Sequence, residues 1–343
     1  MNSRKWMVAA ASLVVLIGLC LLGLFFKFRP GGTALYFNEL SDTPGTEWSN
    51  RKTSQIETDG RIYLGKFGRD KITLSLDRLA RHQLVRVSFD LFLMQSWDGA
   101  SRTYGESRWS LDVVDGPNLI QTTFGNCGFF TDNNVQNFPD NRPFGKYPAW
   151  TGSTEHETLG TIQSWGGPSR TFDCSSVYHL ELAFPHSAND LKLCFQGYKP
   201  DKTWGLRNVK VEMLPGLASV SSADYAGLWQ QLADKDPVAA FKAKWDLAAG
   251  GPATVKFLAG TLSGAVRPPA GSADALRLHR ACEVLQVIHT PDADALLNQL
   301  GQTNLTLLPR NSELLGAVIA GTQAAASKQR GKLGVVMDDD LKL

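Results

Sequence analysis

Between residues 34 and 214 apolar and polar side chains alternate with a period of two. In LVRVSFDLFLM, Val85, Val87, Phe89, Leu91 and Leu93 fall on one face, and Arg86, Ser88 and Asp90 on the other. VYHLELAF, LKLCF and NVKVEM repeat the pattern, with Tyr178, Leu180, Leu182 and Phe184, then Leu191, Leu193 and Phe195, then Val209, Val211 and Met213 turned inward. Successive side chains of a strand point to opposite faces, so such runs predict strands with one buried side. Turn-forming residues separate them, and the Pro185–Asp190 cluster predicts a hairpin between two runs. Many one-faced strands without intervening helices predict an all-β antiparallel sandwich of two sheets over residues 34–214.

After Pro215 the period lengthens. Ser222 is placed to cap a helix carrying Tyr225, Leu228, Trp229 and Leu232 on one stripe, and Asp236-Pro237 to start a second, since proline at the first helical position sacrifices no hydrogen bond. Further helices are predicted near Ala253–Leu262, over ALRLHRACEVLQVI, from Thr290-Pro291 to Leu300, and over Ser312–Ala325. Short helices at this spacing predict a small all-α, HEAT-like domain over 222–326, built of antiparallel pairs. Residues 215–221 read as a linker between two independent cores, and 327–343 as a disordered tail.

At the other end, Trp6–Phe26 is a run of 21 residues without a charge, bracketed by Arg4 and Lys5 before it and Lys27 and Arg29 after it. A helix of that length covers the ~30 Å hydrocarbon core, whereas the apolar part of a cleaved signal peptide is about 7–15 residues. The run predicts a signal anchor over 6–26, with cleavage near Gly31-Gly32-Thr33-Ala34 as the alternative. Arg4, Lys5 and the chain amine exceed the downstream cations by one, which predicts a cytoplasmic 1–5 and an extracytoplasmic body: a single-pass protein of the cytoplasmic membrane.

Composition changes this picture little. The net charge of +2 offers no field for nucleic acid. Of five cysteines, Cys20 lies in the apolar run and Cys282 in a predicted helix; Cys127, Cys174 and Cys194 allow one disulfide with a free thiol, or none. No C-x-x-C pair points to zinc or redox chemistry.

The segments EWSNRKTSQIETDGRIYLGKFGRDKITLSL, VSFDLFLMQSWDG, RWSLDVVDGPNLIQTTFGN, YHLELAFPHSANDLKLCF and TWGLRNVKVEM occur in that order. Together they resemble a β-domain of uncharacterised bacterial secreted and surface proteins, including some with PEP-CTERM sorting tags. The resemblance implies a lectin-like jelly roll and brings no activity with it. LWQQLADKDPVAAFKAKWDLAAGGPATVKFLAGTL and LRLHRACEVLQVIHTPDADALLNQL are similar to a helical segment that follows WD40 repeats in uncharacterised bacterial proteins, here shortened between its two pieces and without the propeller. That similarity implies a scaffold.

Several residues are candidates for chemistry. Trp97, Tyr104, Tyr147, Trp150, Trp165 and Trp204 sit mostly between the alternating runs, where flat rings on loops can stack on a sugar or a partner, or plug the end of the core. In Ser96-Trp97-Asp98-Gly99, Asp and Gly are turn chemistry first. A calcium ion there would need about 6–8 oxygens, for which Asp98, Glu106 and Asp112 are the candidate carboxylates. No other cofactor is suggested. Glu155-His156-Glu157 lacks the spacing of a zinc helix or of a glycosidase acid pair and reads as a solvated loop. No nucleophile elbow or phosphate loop occurs, and Asp90 and Glu181 are the carboxylates expected to share one strand face. The sequence thus predicts a membrane-anchored binding or scaffold protein whose sandwich meets a glycan or surface-protein ligand. The alternative is a polysaccharide hydrolase on the same fold.

Overall fold

The computed structural model describes residues 33–39, 43–127, 135–164, 167, 170–263, 268–269 and 271–303. The predicted anchor at 6–26, Trp165, the helix expected over 312–325 and the tail at 327–343 lie outside them. Among the described residues no helix is long and apolar enough to cross a membrane.

Among the described residues fifteen strands form the β-region. β1 (Thr33–Asn38), β2 (Thr53–Gln55), β3 (Ile62–Phe67), β5 (Leu84–Met94), β10 (Glu155–His156), β13 (Ser175–Pro185) and β15 (Thr203–Leu214) make one sheet, in the order β10-β13-β5-β15-β3-β2 with β1 also on β15. β4 (Lys71–Asp77), β6 (Arg108–Val113), β7 (Asn118–Thr123) and β14 (Asp190–Gly197) make the second, in the order β4-β14-β6-β7. Two short ribbons, β8 (Val135–Gln136) with β9 (Tyr147–Pro148) and β11 (Ile162–Ser164) with β12 (Thr171–Asp173), decorate the loops. From β3 onward the long strands alternate between sheets except at the β6–β7 hairpin, the crossing pattern of a jelly roll. The Pro185–Asp190 connection is therefore not the expected hairpin. β13 pairs with β5 while β14 pairs with β4 and β6, so the chain changes sheets there. Alternation specifies which side of a strand is buried and leaves its partner open.

The inward faces meet as predicted. Phe89 of the larger sheet packs edge-on to Phe195 of the smaller at 5.4 Å, and Trp204 to Trp109 at 6.1 Å. Cys127 and Cys174 form a disulfide, and Cys194 is a buried free thiol whose pKa burial raises.

Among the described residues five helices follow: α1 (Ser222–Gln231), α2 (Pro237–Ala249), α3 (Pro252–Leu262), α4 (Ala273–Ile288) and α5 (Pro291–Thr303). The cap of α1 is Ser221, one residue before the predicted one, because Asp224 stands where a reciprocal capping box closes on it. Asp236 caps α2 through Val238 N at 2.9 Å, ahead of Pro237, as its sequence predicts. The bundle is organised around α4, which packs on α2, α3 and α5, where the spacing predicts successive pairs.

The two halves share one hydrophobic core, which runs from the sandwich into α1–α5. α2 lies along β13, with Phe241 against Phe138 at 5.4 Å, and covers a strand edge that would otherwise expose unpaired backbone. Beside these rings the seam is polar. Arg280, 1% exposed, donates to Asp140 Oδ1 at 2.7 Å, to Tyr147 Oη at 2.9 Å and to the Leu232 carbonyl at 2.6 Å. Glu283 accepts from the backbone N of Asn141 at 3.0 Å and from Lys244 Nζ at 2.7 Å. His279 Nε2 lies 2.8 Å from the same carboxylate but off the line of a hydrogen bond, with its ring stacked on Phe144.

Candidate functional site

The outward side of the larger sheet carries the polar half of the alternating pattern, and the fold closes both of its ends. At one end Phe92, Met94, Val177 and Tyr63 are buried beneath Ile56 and Leu159. The cover is fastened by Arg61, whose two terminal nitrogens each meet a Glu155 oxygen at 2.8 Å while the guanidinium lies 5.2 Å from the Phe92 ring centre. The Arg61 hydrogen bonds lower the Glu155 pKa more than its partial burial raises it. Glu155 and His156 thus form β10 on the edge of β13 rather than the expected solvated loop, because the distant Arg61 supplies the partner charge. At the other end Leu84 and Leu214 are buried with Ala249, against Leu217 and Ala218.

Between these covers, among the described residues, lies an open polar floor built on β13, β5 and β15. From the Arg86 row to the Asp90 row it extends about 13 Å, at ~3.3 Å per residue, across three strands spaced by roughly 4.8 Å. Arg86 faces Glu181 at 3.4 Å and Glu212 at 3.7 Å, and Lys210 meets Glu212 at 2.9 Å. Asp90 stands on the middle strand in the end row of the floor, with His179 Nδ1 on one oxygen at 2.7 Å and Asn208 Nδ2 on the other at 2.6 Å. An ionised carboxylate only accepts, so Nδ1 carries the ring proton when His179 is neutral. Nε2, without a partner among the described residues, is then an acceptor on a ring that is 50% exposed.

Asn208 reaches Asp90 because β15 carries a bulge. The register jumps from Arg207↔Asp90 to Lys210↔Ser88, and Asn208 adopts φ +53°, which Asn tolerates better than most residues. The signal for this is in the sequence: inward residues run Trp204, Leu206, then Val209, Val211 and Met213, a step of three among steps of two.

The rings predicted from the sequence are dispersed. Trp97 is 1% exposed and plugs the end of the sandwich, its indole N–H shared between the Met94 and Thr203 carbonyls. Trp204, 0% exposed, lies inside β15 rather than on a loop, because the strand begins at Thr203 directly after the Asp201-Lys202 turn. Tyr147 belongs to the seam, where burial and Asp140 raise its phenol pKa. Trp150 lies against His156 at 5.1 Å between centroids, with its indole nitrogen buried and unpartnered among the described residues. Tyr104 is exposed, at 51%.

The candidate calcium ligands do not converge. Asp98 meets Lys202 Nζ at 2.9 Å and Glu106 meets Arg142 at 2.8 Å, while Asp112 accepts from Ser110 and from Asn118 Nδ2. Among the described residues no group of three His, Cys, Asp or Glu side chains is arranged to hold a metal ion. Gly99 makes the turn at φ +62°.

No family model matches the chain, and no curated protein matches it. Among solved structures, 54% of the chain aligns with dimeric latent PorU from Porphyromonas gingivalis at 11% identity and a TM-score of 0.29, spanning 13% of that protein. A further 55% alignment is to the CBM22-1 xylan-binding domain of Paenibacillus barcinonensis Xyn10C, at 11% identity and a TM-score of 0.26 over 98% of that domain. The C-terminal CBM6 of LamC from Zobellia galactanivorans aligns over 52% of this chain and 98% of its own, at 8% identity and a TM-score of 0.25. At scores this low the likeness carries no functional information.

Proposed function

We propose that the protein is a membrane-anchored extracytoplasmic binding protein whose ligand, a glycan, lies on the polar floor of the larger sheet. The observation that carries this reading is the floor itself, a hydrogen-bonding surface left open between two built covers. Asp90, His179, Asn208 and the Arg86–Glu181–Glu212 group present acceptors and donors held in place by one another, which suits hydroxyl recognition. Both oxygens of Asp90 are occupied and Glu181 faces Arg86, which favours binding over the paired acid chemistry of a hydrolase. The Cys127–Cys174 disulfide and the 6–26 apolar run support an oxidising location outside the cytoplasm. The helices brace the sandwich along β13.

The test is a glycan array with the full-length chain in detergent, followed by Asp90→Ala, Glu181→Ala and Tyr104→Ala. The floor variants are expected to lose the signal and Tyr104→Ala to keep it. Retention in both floor variants, with loss in Tyr104→Ala, would place the ligand at the loop end instead.

A further inference from the structure

Among the described residues the floor holds three cationic side chains, and two of them are answered. Arg86 has Glu181 and Glu212, and Lys210 has Glu212. The Arg207 side chain has no hydrogen bond or ion pair with any described residue, and its Nε is fully buried without a partner among them. Its register partner across β5 is Asp90, on the same side of the sheet, yet the Asp90 carboxylate is turned to His179 and Asn208. An Nε–H buried without an acceptor is costly, because burial removes water and nothing among the described residues replaces it. The bulge at Asn208 sharpens this arrangement, since it brings in an amide that takes the Asp90 oxygen an arginine could have used.

We infer that Arg207 is the receptor for a carboxylate on the ligand, and that the glycan is acidic, with uronic acid residues. This rests on the floor being the binding face. A guanidinium presents a planar fork that matches a carboxylate with two parallel hydrogen bonds, and few side chains do this as well. The neighbours set the kind of acid. Asp90, Glu181 and Glu212 stand on the same floor, so a ligand with closely packed negative charges, such as an acidic peptide, is repelled. A saccharide with one carboxylate per ring, and hydroxyls to meet the floor's acceptors, matches one free cation among paired charges.

Titration calorimetry of the full-length chain with tetragalacturonate, with its methyl ester and with hexaglutamate separates the possibilities. The acid is expected to bind at least tenfold more tightly than the ester, and Arg207→Gln to remove that preference while leaving the ester's affinity within twofold. Arg207→Lys keeps the charge without the fork and is expected to recover part of it; a melting temperature within about two degrees of the parent confirms that the variants are folded. Equal binding of acid and ester, or an Arg207→Gln variant that keeps the preference, overturns the inference and leaves the floor as a neutral-glycan site. Tighter binding of hexaglutamate than of the uronide overturns it in favour of a peptide. If neither saccharide binds and Asp90→Ala changes nothing on the array, the floor itself is refuted along with it.

Discussion

Asp140→Asn tests whether the polar seam holds the sandwich to the helices. Asp140 and Arg280 have side chains 4% and 1% exposed, so neither charge has water as an alternative partner. The substitution keeps the shape and removes the anion, leaving the Arg280 cation with Tyr147, the Leu232 carbonyl and one amide oxygen as acceptors. Breaking a buried pair by removing one partner costs about 3–5 kcal/mol, and the surviving acceptors place this case near ~3. For a unit of this size ~3 kcal/mol is a fall of roughly 6–12 °C in melting temperature. The assay is urea and thermal unfolding of the full-length chain, followed by helical circular dichroism and by tryptophan fluorescence. Arg280→Met in the Asp140→Asn background removes the stranded cation, and a coupling of at least ~1.5 kcal/mol is expected from the four-variant cycle. A loss below ~1 kcal/mol with no coupling would refute the reasoning, because the pair would then be solvated in a way the buried geometry denies.

Other outcomes follow from the same structure. A Cβ on Gly99 would stand 2.2 Å from the Val135 carbonyl oxygen at φ +62°, so Gly99→Ala is expected to cost at least ~2 kcal/mol in urea unfolding, and a neutral result would mean that the corner is not packed as described. Burial pushes the Glu283 pKa up, but Lys244 and His279 outweigh it and hold the carboxyl well below its ordinary range. Its contribution to stability is complete above the unfolded value of ~4.3 and is lost as pH falls through the depressed folded value. The fall in stability from about pH 4 to pH 2 should therefore be shallower in Glu283→Gln, and an unchanged slope would remove Glu283 from the account.

Much of the architecture was legible because it depends on side-chain periodicity alone. A period of two over 34–214 and a helical period from Ser222 required strands and helices whatever their neighbours, and Asp236-Pro237 marked a helix start by local chemistry. Periodicity also put Arg86, Ser88 and Asp90 on one face. What it could not say was which strands pair, so the Pro185–Asp190 turn looked like a hairpin and is a change of sheet. Nor could it say what covers a face. Arg61 and Glu155 are 94 residues apart, Arg280 and Asp140 140 apart, and only the closed chain shows that each pair meets. The rings misled for a related reason: Trp97 is on a loop by sequence and in the core by position, because an indole buries a large apolar surface wherever backbone carbonyls can take its N–H. Local sequence determines conformation and the side to be buried, since both act over a few residues. Pairing, covering and the isolation of one unanswered arginine are long-range outcomes, and tertiary structure alone decided them.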